Sequence, residues 1–190
     1  SLLSTLLYIL GFTLMIEGVG MALIWLSIHN TMGMTLDEEL YFAAFHSISA
    51  FCNAGFDIMG AENAKYASLT SYVASPTINI TVMLLIVIGG IGFLTWEDIY
   101  ANKHHLRRYR MQSKVILATT GFLILLPALL FFFVEFADLP IKQRLLASLF
   151  QSITPRTAGF NTADITLMTG AGQAIIIVLM LIGGSPGSTA

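Results

Sequence analysis

Apolar and polar positions alternate along this chain in long blocks. The first apolar run, from about Ser4 to Trp25, is long enough to cross a bilayer, which takes about 20 residues. A second starts at Ser75-Pro76, a cap followed by proline at the first helical position, and runs to about Trp96. A third covers roughly Ser113 to Phe136, and a fourth begins near Gly172. Two helices too short to cross lie between these runs. Thr35-Leu36-Asp37-Glu38 is a capping-box signature, and the helix it opens runs to about Cys52. Its counterpart starts near Pro140, behind an Asp138 cap, and stops at Thr154-Pro155.

Each short helix leads into a strip that is not ordinary membrane sequence. The strips are Asn53-Ala54-Gly55-Phe56-Asp57 and Thr157-Ala158-Gly159-Phe160-Asn161, related position by position by an offset of 104. The preceding tripeptides, Ser47-Ile48-Ser49 and Ser152-Ile153-Thr154, are offset by 105, so the copies differ by one residue just before the strip. The order span, half-helix, strip, span occurs twice, an internal repeat of about 104 residues. The expected organisation is a first repeat over 1–101, a basic link over 102–112 and a second repeat over 113–190, incomplete at its C-terminal end. The expected fold class is an all-α membrane protein of tandem span–pore-helix–filter-loop–span repeats, similar to a potassium channel.

Composition agrees with a bilayer setting. Residues are 56% hydrophobic and only 11% charged, against about a quarter charged in soluble domains; mean hydropathy is +0.79. A net charge of −2 leaves no basic footprint for nucleic acid. The single cysteine, Cys52, excludes an internal disulfide and a thiolate metal cluster. The first apolar run has no basic region before it and no small-residue cleavage site, so it reads as a membrane helix and not a signal peptide. The last run stops at Ala190 without a polar anchor, as expected of part of a longer protein.

Charge also orients the chain. Lys103, Arg107, Arg108, Arg110 and Lys114 lie in the link between the second and third spans, which the positive-inside rule places in the cytoplasm. Both strips then face outward. Asp37, Glu38, Glu39, Asp57 and Glu62, against Lys65, predict an acidic mouth that concentrates cations.

Irregular backbone at membrane depth survives only where protein buries it or water bathes it. Carbonyl oxygens can replace the hydration shell of a cation, and glycine lets successive carbonyls face one way through positive φ. A half-helix aimed C-terminal end first adds roughly half a negative charge. Hydroxyl, small apolar residue, glycine, aromatic and turn-former follow one another in Thr157–Asn161, as in the TVGYG filter of potassium channels. A plain glycine-containing loop is the alternative, and the second copy in the same context argues against it.

The chain resembles the Trk/Ktr/HKT superfamily of potassium transporters, in particular its membrane subunits of the KtrB/TrkH kind. The resemblance rests on Phe45–Phe56, Gly89-Gly90-Ile91-Gly92-Phe93, Gln151–Asn161 and Gly183–Ala190, in that order over essentially the whole chain. It implies four repeats around one pore, of which these are the second and third. The implied potassium-binding filter positions are Asn53, Ala54, Gly55 and Phe56 with Thr157, Ala158, Gly159 and Phe160. Asn53 stands where the other strip has a hydroxyl, so that side is expected to coordinate through backbone only. The implied cargo is the K+ ion, the only metal expected, with no covalently bound cofactor. The implied partners are the remaining two repeats, a second copy in a homodimer, a cytosolic nucleotide-binding regulatory subunit and the lipid bilayer of the cytoplasmic membrane.

The stretch Gly183-Gly184-Ser185-Pro186-Gly187-Ser188-Thr189 cannot continue a regular helix. It reads either as a polar loop or, by the resemblance, as an intramembrane gate loop below the filter. Gly89, Gly90 and Gly92 read as close-packing residues, with a pore-facing kink as the alternative. Arg156 and His46 are candidate filter supports. Arg156 would repel cations if it faced them, so it is expected to turn away and pair with Asp57 or Asp164. His46 is expected to hydrogen-bond nearby backbone. Glu17, inside the first span, is either functional or a hydrogen-bonded structural carboxylate. Glu135 is expected at an exposed span end, and His104 and His105 in solvent. The rival function is a broken-helix secondary transporter for another cation or small solute. An enzyme is not expected: His46, near the outer face, has no obvious serine partner.

Overall fold

A computed structural model describes residues 2–29, 33–58, 69, 75–103, 105–162 and 168–189. Every regular element among them is helical: α1 (Leu2–Ile28), α2 (Leu36–Phe51), α3 (Pro76–Ile91), α4 (Phe93–Asn102), α5 (Met111–Leu130), α6 (Ile141–Ile153) and α7 (Gly170–Ile182). Glu62, Lys65, His104, Asp164 and Ala190, which the sequence reading used, lie outside the described residues.

Two helices are long and apolar enough to cross a membrane, Leu3–Ile28 and Met111–Glu135. The second includes five residues of π-helix, Phe131–Glu135, four residues after Pro127, whose missing N–H disturbs the regular ladder. Their outer faces carry Leu7, Leu14, Val19, Phe122, Leu125 and Leu129, all more than half exposed. In water such a surface would be costly; in lipid it is solvated.

The expected second span, Ser75 to Trp96, is not one helix. The chain turns by 95° between α3 and α4. Gly92 takes φ 94 at the turn, outside the range a side chain favours. An added Cβ there would sit 3.0 Å from the Gly187 carbonyl oxygen. Of the two roles weighed for these glycines, the kink falls at Gly92, while Gly89 packs closely: a Cβ would meet the Phe51 carbonyl oxygen at 2.0 Å.

The capping box is present at α2, where Glu38 Oε2 accepts the Thr35 backbone N–H at 2.8 Å. This bond holds the Glu38 carboxyl below the usual range. The residue preceding α6 is Pro140 rather than Asp138; proline's fixed φ suits a helix start. Thr169 caps α7, its hydroxyl accepting from the Gly172 N–H.

The main core joins α1, α2, α3 and α6 to the second strip, with Ile24, Phe42, Phe51, Val82, Ile86, Phe150 and Phe160 buried together. The half-helices α2 and α6 are thus held in protein, which permits them to end inside the fold. A smaller cluster, Phe131, Phe136, Ala147, Met168 and Ile176, ties the end of the α5 span to α6 and α7.

Two acidic residues sit elsewhere than expected. Glu39 does not face a mouth. It is 2% exposed, and its Oε2 lies 2.8 Å from His29 Nδ1 and accepts from Trp25 Nε1 at 3.2 Å, which fastens α1 to α2. A buried carboxylate needs such partners. Glu135 is half-buried instead of exposed, and it accepts the Thr169 backbone N–H at 2.9 Å.

Candidate ion filter and its loop

Both half-helices unravel into their strips in the same way. The Ala54 N–H donates to the Ser49 carbonyl at 2.9 Å, and the Ala158 N–H to the Thr154 carbonyl at 3.0 Å. The first closes over five residues and the second over four, so the single-residue difference between the copies is absorbed here. One hydroxyl then clips each strip to its helix. Ser49 Oγ donates to the Phe56 carbonyl at 2.8 Å, and Thr154 Oγ1 to the Phe160 carbonyl at 2.7 Å.

Gly55 and Gly159 take φ 68 and 84, the left-handed region that costs other residues about 1–2 kcal/mol. The strips also touch: a Cβ on Gly55 would lie 1.6 Å from the Ala158 carbonyl oxygen. Glycine at 55 therefore answers both a backbone angle and a lack of space. The Asn161 carbonyl accepts the Leu69 N–H at 2.9 Å, linking the chain after strip one to strip two.

The aromatic positions differ in surroundings. Phe160 is fully buried, its ring centroid 6.5 Å from that of His46 on α2. Phe56 is 69% exposed. His46 Nδ1 lies 2.8 Å from the Phe42 carbonyl oxygen, the backbone bond expected of it, while Nε2 is buried without a partner among the described residues.

No ion pair joins Arg156 to Asp57 among the described residues, and the alternative partner, Asp164, lies outside them. The 3-10 turn Thr154–Arg156 carries the arginine to a cavity of ≈ 10 Å³ shared with Ile86, Gly90, Thr120, Ile153, Thr157 and Gly184. That volume suits about one water molecule, and Arg156 Nε is buried there without a partner among the described residues.

The glycine-rich loop lies in the break of α3 and α4. Ser185 Oγ donates toward the Gly90 and Ile91 carbonyls at 2.7 and 2.6 Å. The Thr189 N–H donates to the Gly89 carbonyl, and the Phe93 N–H to the Gly187 carbonyl, each at 3.2 Å. Carbonyls that the kink would leave unpaired thus find donors on the loop. Thr189 Oγ1 donates to the Phe51 carbonyl at 2.6 Å and accepts from Asn53 Nδ2 at 3.0 Å. These loop contacts span 94 to 138 residues, and no local sequence signal reports them.

Glu17 is half-buried on α1. Ser47 Oγ donates to its backbone carbonyl at 2.7 Å, and the Cys52 thiol points at Oε1 from 3.9 Å. Asp98, which the sequence reading passed over, is 5% exposed and joins α4 to the start of α5. Its Oδ2 accepts from Ser113 Oγ at 2.7 Å and from the Arg110 N–H at 2.8 Å.

The family model for TrkH, described as a cation transport protein, matches residues 1–190. The chain is 34% identical over 189 residues to the potassium/sodium uptake protein NtpJ of Enterococcus hirae, covering 97% of this chain and 40% of that protein. It is 35% identical over 188 residues to the Ktr system potassium uptake protein B of Vibrio alginolyticus, with coverage of 95% and 40%. The crystal structure of the potassium transporter TrkH from Vibrio parahaemolyticus superposes with a TM-score of 0.74 at 23% identity, covering 98% of this chain and 36% of that one. That likeness is one of fold. The chain spans about two fifths of the length of the curated relatives.

Proposed function

The chain belongs to the TrkH family of cation transport proteins, and from that membership we propose that it forms two sides of a potassium pore in the cytoplasmic membrane. The carbonyls of Asn53, Ala54 and Gly55, with those of Thr157, Ala158 and Gly159, line the narrow part and replace water around the ion. Phe56 and Phe160 complete the filter strips, their carbonyls anchored by Ser49 and Thr154. The C-terminal ends of α2 and α6 add negative potential where the ion sheds water. The single observation carrying this reading is the paired closure of the strips, each with one hydroxyl clip and one positive-φ glycine.

Two further repeats of the parent protein complete the ring, and one of them covers the exposed ring of Phe56. Gly183–Thr189 acts as the gate loop under the filter. A second copy of the parent makes a homodimer. The basic link from Lys103 to Lys114 meets a cytosolic nucleotide-binding regulatory subunit. The process is transport and not catalysis.

The α3–α4 break favours the rival reading of a secondary transporter, since broken helices often present free backbone to a solute. Here the Gly89, Gly90 and Ile91 carbonyls are already taken by the loop, which supports a pore. Rubidium influx separates the two. The parent protein, expressed in cells lacking their own potassium uptake, should restore rubidium influx that potassium competes for and sodium competes for weakly. Absence of rubidium influx at normal surface expression would return the rival to first place.

A further inference from the structure

Asn53 occupies a filter strip, yet its side chain turns to the loop. We propose that Asn53 and Thr189 form a latch between the first strip and the glycine-rich loop, making Asn53 a positioning residue of the pore. The proposal rests on the reading of Gly183–Thr189 as a gate.

Asn53 takes φ 52, a conformation asparagine tolerates better than most side chains. That geometry places Nδ2 3.0 Å from Thr189 Oγ1 and 3.3 Å from the Phe51 carbonyl oxygen. The Thr189 hydroxyl accepts from Asn53 and donates its own hydrogen bond to the Phe51 carbonyl at 2.6 Å. Phe51 is the last residue of α2, so its carbonyl has no partner within the helix and must find one elsewhere. Asn53 is 5% exposed and Phe51 1% exposed. Water therefore does not replace these bonds while the loop stays in place.

The third member of the junction is Gly89. Its carbonyl accepts the Thr189 N–H, and a Cβ on it would collide with both the Phe51 carbonyl and Thr189 Oγ1. Strip, broken helix and loop thus meet where no side chain larger than hydrogen fits at Gly89. Moving the loop aside breaks both bonds of the Thr189 hydroxyl and leaves the buried Phe51 carbonyl and Asn53 amide only their 3.3 Å bond to each other. The latch accordingly biases the loop toward the position under the strip, and a shift of strip one is felt directly by the loop.

The test uses the complete parent protein in cells lacking potassium uptake, with surface expression measured. Thr189→Val keeps shape and removes the hydroxyl; Asn53→Gly removes the amide at a φ glycine accepts. Asn53→Gly should raise rubidium influx about fivefold, the equivalent of one lost hydrogen bond, and Thr189→Val, which removes both bonds of the hydroxyl, should raise it more. The double variant should do no more than the stronger single one, because both act through one contact. Thr189→Ser should restore the parent rate. The rubidium-over-sodium ratio of Thr189→Val should match the parent, which damage to the filter would not allow. Deletion of residues 185–188 serves as the control on gating. If that deletion raises influx while Thr189→Val does not, or if the two single effects add, the latch is wrong and the gate reading stands. If the deletion leaves influx unchanged, both fall.

Discussion

Gly55→Ala and Gly159→Ala are the same chemical change at matching positions of the two strips, yet within these two repeats they meet different neighbours. Both glycines have positive φ, 68 and 84, so either alanine carries a backbone penalty of about 1–2 kcal/mol. At Gly159 nothing among the described residues lies within 4 Å of the added Cβ, so that penalty is the whole cost within these two repeats. At Gly55 the Cβ would stand 1.6 Å from the Ala158 oxygen and 2.7 Å from its carbonyl carbon. Those atoms are backbone and cannot rotate away. The strips must part by more than about 1 Å, and overpacking of this kind adds roughly 1–3 kcal/mol. Gly55→Ala should therefore cost about 2–5 kcal/mol in all. The assay is thermal unfolding of the purified parent protein and its two variants, alongside rubidium influx with competing sodium. Gly55→Ala should lower the midpoint and should weaken discrimination against sodium, because the carbonyls of strip two are displaced. An unchanged midpoint for Gly55→Ala would refute the close approach of the strips.

Other consequences are checked on the same preparation. Thr35→Ala should cost about 1 kcal/mol by loss of the α2 cap, seen as a lower unfolding midpoint. The Glu38 carboxyl, held below its usual range by the Thr35 N–H, binds its proton more weakly folded than unfolded. Its contribution is therefore present above the ordinary carboxyl range and disappears as pH falls through the lowered folded value. The gap between parent and Glu38→Gln should accordingly narrow on acidification, and a constant gap would contradict this. Asp98→Ala should cost roughly 2–4 kcal/mol, since it strips two donors of a buried carboxylate; an unchanged midpoint would remove Asp98 as the α4–α5 tie.

Much of this fold was legible because hydropathy and caps are local. The α1 and α5 spans, the Thr35–Glu38 box, Pro76 at a helix start and the two strips are all written in contiguous residues. The near-repeat even carried its own defect, the offset change from 105 to 104, which the structure absorbs in the Ala54 and Ala158 turns. The break at Gly92 was not legible as a 95° turn. The apolar run continues through it, and what stabilises it is a loop about 90 residues further on. Glu39 was misplaced for a related reason. A charge count assigns charges to a mouth, whereas the folded chain buries Glu39 against Trp25 and His29. Asp98 carried no motif, and its role appears only when Ser113 and Arg110 fold back on it.

The central claim, that the two glycine strips face a potassium ion, is tested most directly by anomalous diffraction from crystals of the parent protein grown with thallium in place of potassium. The account predicts an anomalous peak on the axis that the strips border, within carbonyl reach of residues 53–55 and 157–159, that fades when potassium is restored. Thallium bound elsewhere, with no peak beside the two strips, would contradict it.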